Sequence, residues 1–530
     1  MRAPRLLDPV AASARPRRFA WGRATLAASA VVAAALASIP LVYLVVRVAG
    51  AESGAVAETL LRPRTAQLAA NTVGLVAAVS VACLVLGVAT AWVLARTDLP
   101  LRRTWTVLAA LPLAIPSYVA AFGWVALTPV RGFWGSLIVL TLCNVPLVTL
   151  PTLAALRQAD RAQEDVARTL GRSRTRAFAE VTWPQVRPAA LAGVLLVALY
   201  VLSDFGAVAL MRFQAFTWAI HAAYTSSFDP TLAAVMATVL AAMGVALVVA
   251  ERAMRGRQTR FGSTVAARGT VQPVVLGPWR VPVQVALAAI AALSLGVPLG
   301  ALLRYLGSQP SSGTVVSAGD VAADALTTVG LAAAGALIAL ALALPIGILA
   351  ARHPSRLATG AESASYVGLA LPGIVVGLSL VYFSLQVVPA LYQSVWILAF
   401  AYGVLFLPKA VGAVRSSIER VEPGLEDVAR TLGSGVAGTW MRVTARIAAP
   451  GIGAGALLVA LTAMKELPAT LLLRPTTTDT LATSLWRLTD ISAYAAAAPY
   501  ALALVVVAAV PVVLLTREAV AGATRVEEFE

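Results

Sequence analysis

Apolar residues run through this chain in long unbroken stretches, and arginine-rich polar segments separate them. A helix that crosses a hydrocarbon core of roughly 30 Å needs about 20 consecutive, mostly apolar residues. Twelve stretches qualify: residues 24–48, 68–95, 104–128, 134–156, 188–210 and 230–250, then 281–303, 325–351, 362–388, 391–414, 450–473 and 495–516. Basic residues precede the first stretch, as in a signal peptide. It is long and lacks a convincing cleavage site, so it reads as a retained span. The pattern predicts an all-α polytopic membrane protein of twelve spans.

Composition agrees and removes other classes. Of 530 residues, 59% are hydrophobic and 12% charged, with a mean hydropathy of +0.83, which excludes a string of soluble domains. The net charge of +16 does not point to nucleic acid, because arginine placement accounts for it through membrane orientation. With the amino terminus inside, 31 of the 39 arginines fall in segments left in the cytoplasm, and both termini lie there. The chain has two lysines, Lys409 and Lys465, and neither follows a glycine. A P-loop requires that lysine to hold phosphate, so nucleotide energy has to come from a partner. Cys83 and Cys143 lie in apolar runs and read as small buried hydrophobes, which leaves no disulfide framework.

Two six-span halves repeat one another. The octapeptide EDVARTLG occupies Glu164 to Gly171 and recurs letter for letter at Glu426 to Gly433, an offset of 262. That register carries Pro146 to Pro408, Pro188 to Pro450 and Arg212 to Arg474, while upstream an offset of 256 carries Arg96 to Arg352 and Pro116 to Pro372. Each half has an even number of spans, so the repeat is parallel, with a pathway expected between the halves. The chain then divides into a cytoplasmic segment 1–23, a first permease-like unit 24–250, a polar linker 251–280, a second unit 281–516 and a cytoplasmic tail 517–530, with an outer loop over 308–319.

The repeated octapeptide sits in a cytoplasmic loop between the fourth and fifth spans, residues 158–187 and 415–449. About 30 residues is long for a connector. In the first copy a helical turn or two ends at Gly171, and a second amphipathic stretch, Arg174 to Thr182, runs to Pro184, which predicts two short helices on the membrane face. Such an element suits a groove on a soluble partner. The plain alternative is a basic membrane-surface hairpin, and duplication in register weighs against it.

The spacing Asp165, Val166, Ala167, Gly171, nine residues, then Val181, Thr182, Trp183 and Pro184 resembles the EAA loop of permease subunits in bacterial ABC importers. The second copy matches at Asp427, Val428, Ala429, Gly433, Val443 and Thr444, but has Arg446 where that family has proline. The resemblance implies that Glu164, Asp165, Ala167, Gly171, Pro184, Glu426, Asp427, Ala429 and Gly433 couple the membrane part to two copies of a cytoplasmic ATPase. It also implies a MetI-like fold, a bacterial inner membrane location, no catalysis by this chain itself, and an extracytoplasmic solute-binding protein as a further partner.

Ionisable residues inside spans are costly, so they are default functional candidates. Asp204 and its repeat equivalent Glu466 place carboxylates toward the central pathway, and Lys465 adjoins Glu466. They line a translocation path or, alternatively, cap helices that break at Gly206 and Pro468. Pro116 and Pro372 mark either gate-forming kinks or ordinary helix bends. The segments LSDFGAVALMRF, KELPATLLLRP and TLATSLWRLTD look similar to the iron(III) permease branch, which implies ferric ion as the solute; fused thiamine permeases share the plan, and sulfate, molybdate and polyamine importers have related loops. A proton-driven secondary transporter is the rival class, but its usual relay of buried ionisable groups is sparse. No cofactor is expected. His221, Tyr224 and Asp229 share one outer segment, yet their spacing is not that of a metal site, so no metal ligands are assigned.

Overall fold

A computed structural model describes residues 18–159, 161–226, 229–255, 274–308 and 316–527. Most of the predicted amino-terminal segment, linker and outer loop, and the end of the tail, lie outside these residues. The described residues are helical throughout, with one isolated bridge from Thr97 to Val274. That bridge ties the end of the linker to the turn after the second span, where the Val274 N–H donates to the Arg96 carbonyl at 2.8 Å.

Among the described residues, nine helices are long and apolar enough to cross a membrane. Two more candidates are helix pairs bent by 93° between Arg102–Ala114 and Ser117–Leu127, and by 56° between Val395–Leu405 and Leu407–Glu419. The stretch predicted at 362–388 divides into Arg356–Ala370 and a shorter apolar helix, Gly373–Val387. These three predicted spans are broken, and so are 188–210 and 450–473, after Ser203 and Met464. Pro116 and Pro372 do not kink a continuing helix; each precedes a new one, with ψ of 143° and 147°. The cause is steric, since a proline drives its predecessor out of the helical region, and Ile115 and Leu371 are extended with ψ of 121° and 117°.

The first span of each half packs on the opposite half. Ala30, Ala33 and Leu44 of Arg18–Ala49 share a core with Leu331, Ile346, Ile374 and Val381, and Tyr43 meets Phe383 edge-on with centroids 5.7 Å apart. In exchange, Val297–Leu306 lies on Ser117–Leu127, where Leu302 joins Val119 and Phe122. A Cβ on Gly123 would stand 2.5 Å from the Pro298 Cα, so this crossing requires glycine. Lipid tails supply no hydrophobic drive between helices, so close packing at small residues carries the association. The two halves interlock.

Candidate functional site

The duplicated loops form helices Arg161–Thr169 and Pro423–Thr431. Both end the same way. The Arg172 N–H reaches the Ala167 carbonyl at 3.1 Å and the Gly171 N–H reaches Arg168 at 3.0 Å; Ser434 to Ala429 and Gly433 to Arg430, each 3.0 Å, repeat this in the second half. This bond pair closes a helix only if the residue after it turns left-handed. Gly171 and Gly433 do so, with φ of +86° and +88°.

Each loop helix is clamped to the membrane part by its glutamate. The Thr182 hydroxyl donates to Glu164 Oε2 at 2.7 Å, and Arg96 Nη1 lies 3.6 Å from the same oxygen. In the second half, Thr444 and Arg352 Nη2 both reach Glu426 Oε1 at 2.8 Å. Arg96 and Arg352 end the helices Pro63–Arg96 and Ala318–Arg352, so the loops hang from their own half's second span. Glu164 and Glu426 thus turn inward. Asp165 and Asp427 are exposed, and Ala167 and Ala429 partly so. Leu170 and Leu432 are 78% and 82% exposed beside exposed Val166 and Val428, an apolar strip that nothing among the described residues covers.

The second segment differs from expectation. Rather than a separate short helix ending at Pro184, Arg174–Ser203 is one continuous helix, and so is Val436–Met464. Each passes through a wide π turn, Phe178–Thr182 and Trp440–Thr444, that ends on the threonine of the clamp. Pro184 is exposed just beyond the first π turn. The second turn forms with Arg446 at that position, so proline is not its cause. Each loop helix is therefore joined through that threonine to one long, continuous apolar helix.

That rod ends at Ser203 in one half and Met464 in the other, each followed by a break and a short helix, Gly206–Leu210 or Pro468–Leu473. The carboxylates predicted in the pathway sit at these breaks. Asp204 Oδ1 accepts the N–H of Ala207 at 2.9 Å and of Val208 at 3.4 Å, and Oδ2 accepts the Ser117 hydroxyl. Glu466 Oε1 accepts the Ala469 N–H at 3.1 Å, and a side chain on Gly373 would collide with that oxygen. Ser117 and Gly373 are repeat equivalents, so the shorter carboxylate faces serine and the longer one faces glycine. Each carboxylate thereby meets the positive ends of two half-helices, the arrangement by which broken spans hold charge.

Lys465 joins the halves. Its Nζ donates to the Leu113 carbonyl at 3.0 Å, at the end of the first half's entering helix. Lys409, which was not among the residues predicted from sequence, donates to Thr462 Oγ1 at 3.0 Å and lies over the Phe406 ring at 5.2 Å. A lysine within an apolar run was its signal. Of the residues predicted on one outer segment, Asp229 caps the helix Pro230–Arg255 through the Leu232 N–H at 2.9 Å, and His221 lies against Phe205 with ring centroids 4.8 Å apart. Among the described residues no group of three or more His, Cys, Asp or Glu side chains could hold a metal ion.

Two repeated halves, each with a surface helix clamped to a long apolar rod that breaks at a carboxylate, have the plan of a membrane transport permease. The chain belongs to the family described as binding-protein-dependent transport system inner membrane component, whose model matches residues 84–260 and again 343–517. The Fe(3+)-transport system permease protein FbpB 2 of Haemophilus influenzae is 35% identical over 91% of this chain and 96% of its own length. The sulfate transport system permease protein CysT of Salmonella typhimurium is 28% identical over 34% of this chain and 72% of itself. For the molybdate/tungstate transport system permease protein WtpB of Thermococcus kodakarensis the figures are 23%, 38% and 83%. These last two cover most of themselves but about a third of this chain, as expected where one half here corresponds to one whole relative.

Proposed function

We propose that this chain is the complete transmembrane part of an ABC importer for ferric iron, built from units 24–250 and 281–516 with twelve spans and both termini in the cytoplasm. Two copies of a separate ATPase seat one under each loop helix, and an extracytoplasmic binding protein delivers the ion to the outer face. ATP binding draws the loop helices together. The continuous rods carry that motion to the breaks at Asp204 and Glu466, and the path switches its opening from one side to the other. Pro116 and Pro372 set the facing half-helices against those carboxylates. The chain performs no chemistry of its own.

The observation that supports coupling is the pair of exposed apolar strips at Leu170 and Leu432, held in equivalent positions by matched Glu–Thr–Arg clamps. Ferric iron as the solute rests on the near full-length likeness to the Haemophilus influenzae iron permease. Proteoliposomes containing the chain, its ATPase and its binding protein are expected to accumulate radiolabelled ferric ion only when ATP is inside. Accumulation of thiamine or sulfate in place of iron would overturn the substrate, and uptake driven by a proton gradient without ATP would overturn the class.

A further inference from the structure

The two crossings that interlock the halves are built differently. Where Arg18–Ala49 covers the second half, alanine meets alanine: Ala30, Ala33, Ala34 and Ala37 share one core with Ala358 and Ala361 of Arg356–Ala370. Small residues let helices close on one another in a membrane. At the repeat offset of 256, Ala361 corresponds to Trp105 and Gly368 to Pro112, and the helix that crosses the first half there, Arg280–Ala291, brings Leu287 and Ile290 against them. This seam does not close. The larger side chains leave a narrow cleft of about 380 Å³, its mouth included, between Arg102–Ala110 and Arg280–Ala291, lined by Leu108, Ala109, Pro112, Leu287, Ile290 and Ser294.

The walls are mostly apolar, but Trp105, which forms part of them, has an unanswered donor: its Nε1 atom is buried and no protein group accepts from it. An indole N–H can only donate, so what fills the cleft has to bring an acceptor. Ser294 adds a hydroxyl whose bond to the Ala291 carbonyl is 3.4 Å long, and it sits in a π turn, Ala292–Gly296, that Arg18–Ala49 lacks. Such turns interrupt helices most often at functional sites. The depth suits a lipid. Trp105 is one turn from Arg102, whose guanidinium is held by the Leu94 and Ala95 carbonyls at the loop-helix end of Pro63–Arg96. That puts the indole at the level of the membrane interface, where aromatic rings with a polar edge collect. On the opposite wall exposed Arg280 lies two helical turns, about 10 Å, before Leu287 on the same face. A phosphate at Arg280 leaves an ester carbonyl near Trp105 and an acyl chain along Leu287 and Pro112. Pro112 belongs to the turn Leu111–Ala114, whose Leu113 carbonyl takes Lys465, so a seated chain packs behind a break in the first half.

We propose that the cleft between Arg102–Ala110 and Arg280–Ala291 binds one glycerophospholipid of the leaflet on the loop side, its ester carbonyl on Trp105 and its phosphate at Arg280. The site does not depend on which solute the chain carries. The test uses the full chain in phosphatidylglycerol vesicles holding a trace of phosphatidylglycerol with a photoreactive diazirine in its acyl chain, and in a second arm the matching free fatty acid. Cross-linked peptides are mapped by mass spectrometry, and exposed Val42, Val45 and Val46 measure labelling by ordinary surrounding lipid. Labelling over 108–112 and 287–294 is expected to exceed that measure several-fold. Trp105→Phe keeps a ring and removes the donor, so it is expected to cut the excess about fivefold, the loss of one neutral hydrogen bond. Arg280→Gln is expected to lower it, and Ala291→Phe, which fills the cleft, to abolish it. Should Ala291→Phe fail to assemble, the other two variants still decide. Labelling no higher than at the three valines, or an excess that Trp105→Phe and Arg280→Gln both leave intact, would overturn the site. Excess labelling by the fatty acid and none by the phospholipid would overturn the ligand.

Discussion

Glu164 and Glu426 share the octapeptide with residues that point away from the membrane, yet they point back into it. Their carboxylates hold Thr182 and Thr444 and lie against Arg96 and Arg352, so each joins a surface helix to two spans at once. Glu426→Ala is expected to leave Arg352 without its counter-charge and cost about 1.5–3 kcal/mol at the base of the loop. ATP hydrolysis should then persist while solute moved per ATP falls, with Glu426→Gln in between because it keeps the Thr444 bond. Parallel assays of hydrolysis and uptake check this; a wild-type ratio in the alanine variant would remove the clamp from the mechanism. At this scale the sequence was informative wherever a charge interrupts an apolar run. Asp204, Glu466 and Lys465 stood out for that reason, and Lys409 carries the same signal. Their partners were not legible: Ser117 is 87 positions from Asp204, and Leu113 is 352 from Lys465.

Helices were legible as hydropathy, and their ends were not. The chain stays apolar across the breaks near Ile115 and Leu371, so a window that counts apolar residues reads straight through them, whereas Asp204 and the Lys465–Glu466 pair mark the breaks at Gly206 and Pro468. Only the prolines hint at the first two, and a proline alone does not distinguish a bent helix from an ended one. The π turns carry no sequence signal at all, since they form with and without the following proline. The loop helices were legible because polar, amphipathic residues contrast with the spans around them. Their closing glycines give a direct test. Valine at Gly171 or Gly433 would have to adopt φ near +86° or +88°, a strain of about 1–2 kcal/mol per site. No neighbouring atom lies within 4 Å of either added Cβ, so the effect would come from backbone strain rather than crowding. The double valine variant is expected to assemble with its ATPase but to transport several-fold less; uptake at the wild-type rate would contradict a required left-handed turn.

Across the whole molecule, the repetition was written in the sequence, because an identical octapeptide survives without any knowledge of packing. The interlock was not. Arg18–Ala49 and Val297–Leu306 are apolar on several faces, and nothing in their residues says which half they cover. Each half's broken spans are packed by a helix from the other, and under the proposed mechanism a force applied at both loops is shared at one pathway. The direct measurement is cross-linking. Single cysteines at Ala167 and at Ala429, both partly exposed, would be joined to the ATPase in a complex that is actively transporting, against a low background because Cys83 and Cys143 are buried. Capture of an ATPase subunit from each position is the predicted result; an active complex in which neither position ever reaches an ATPase would contradict the account.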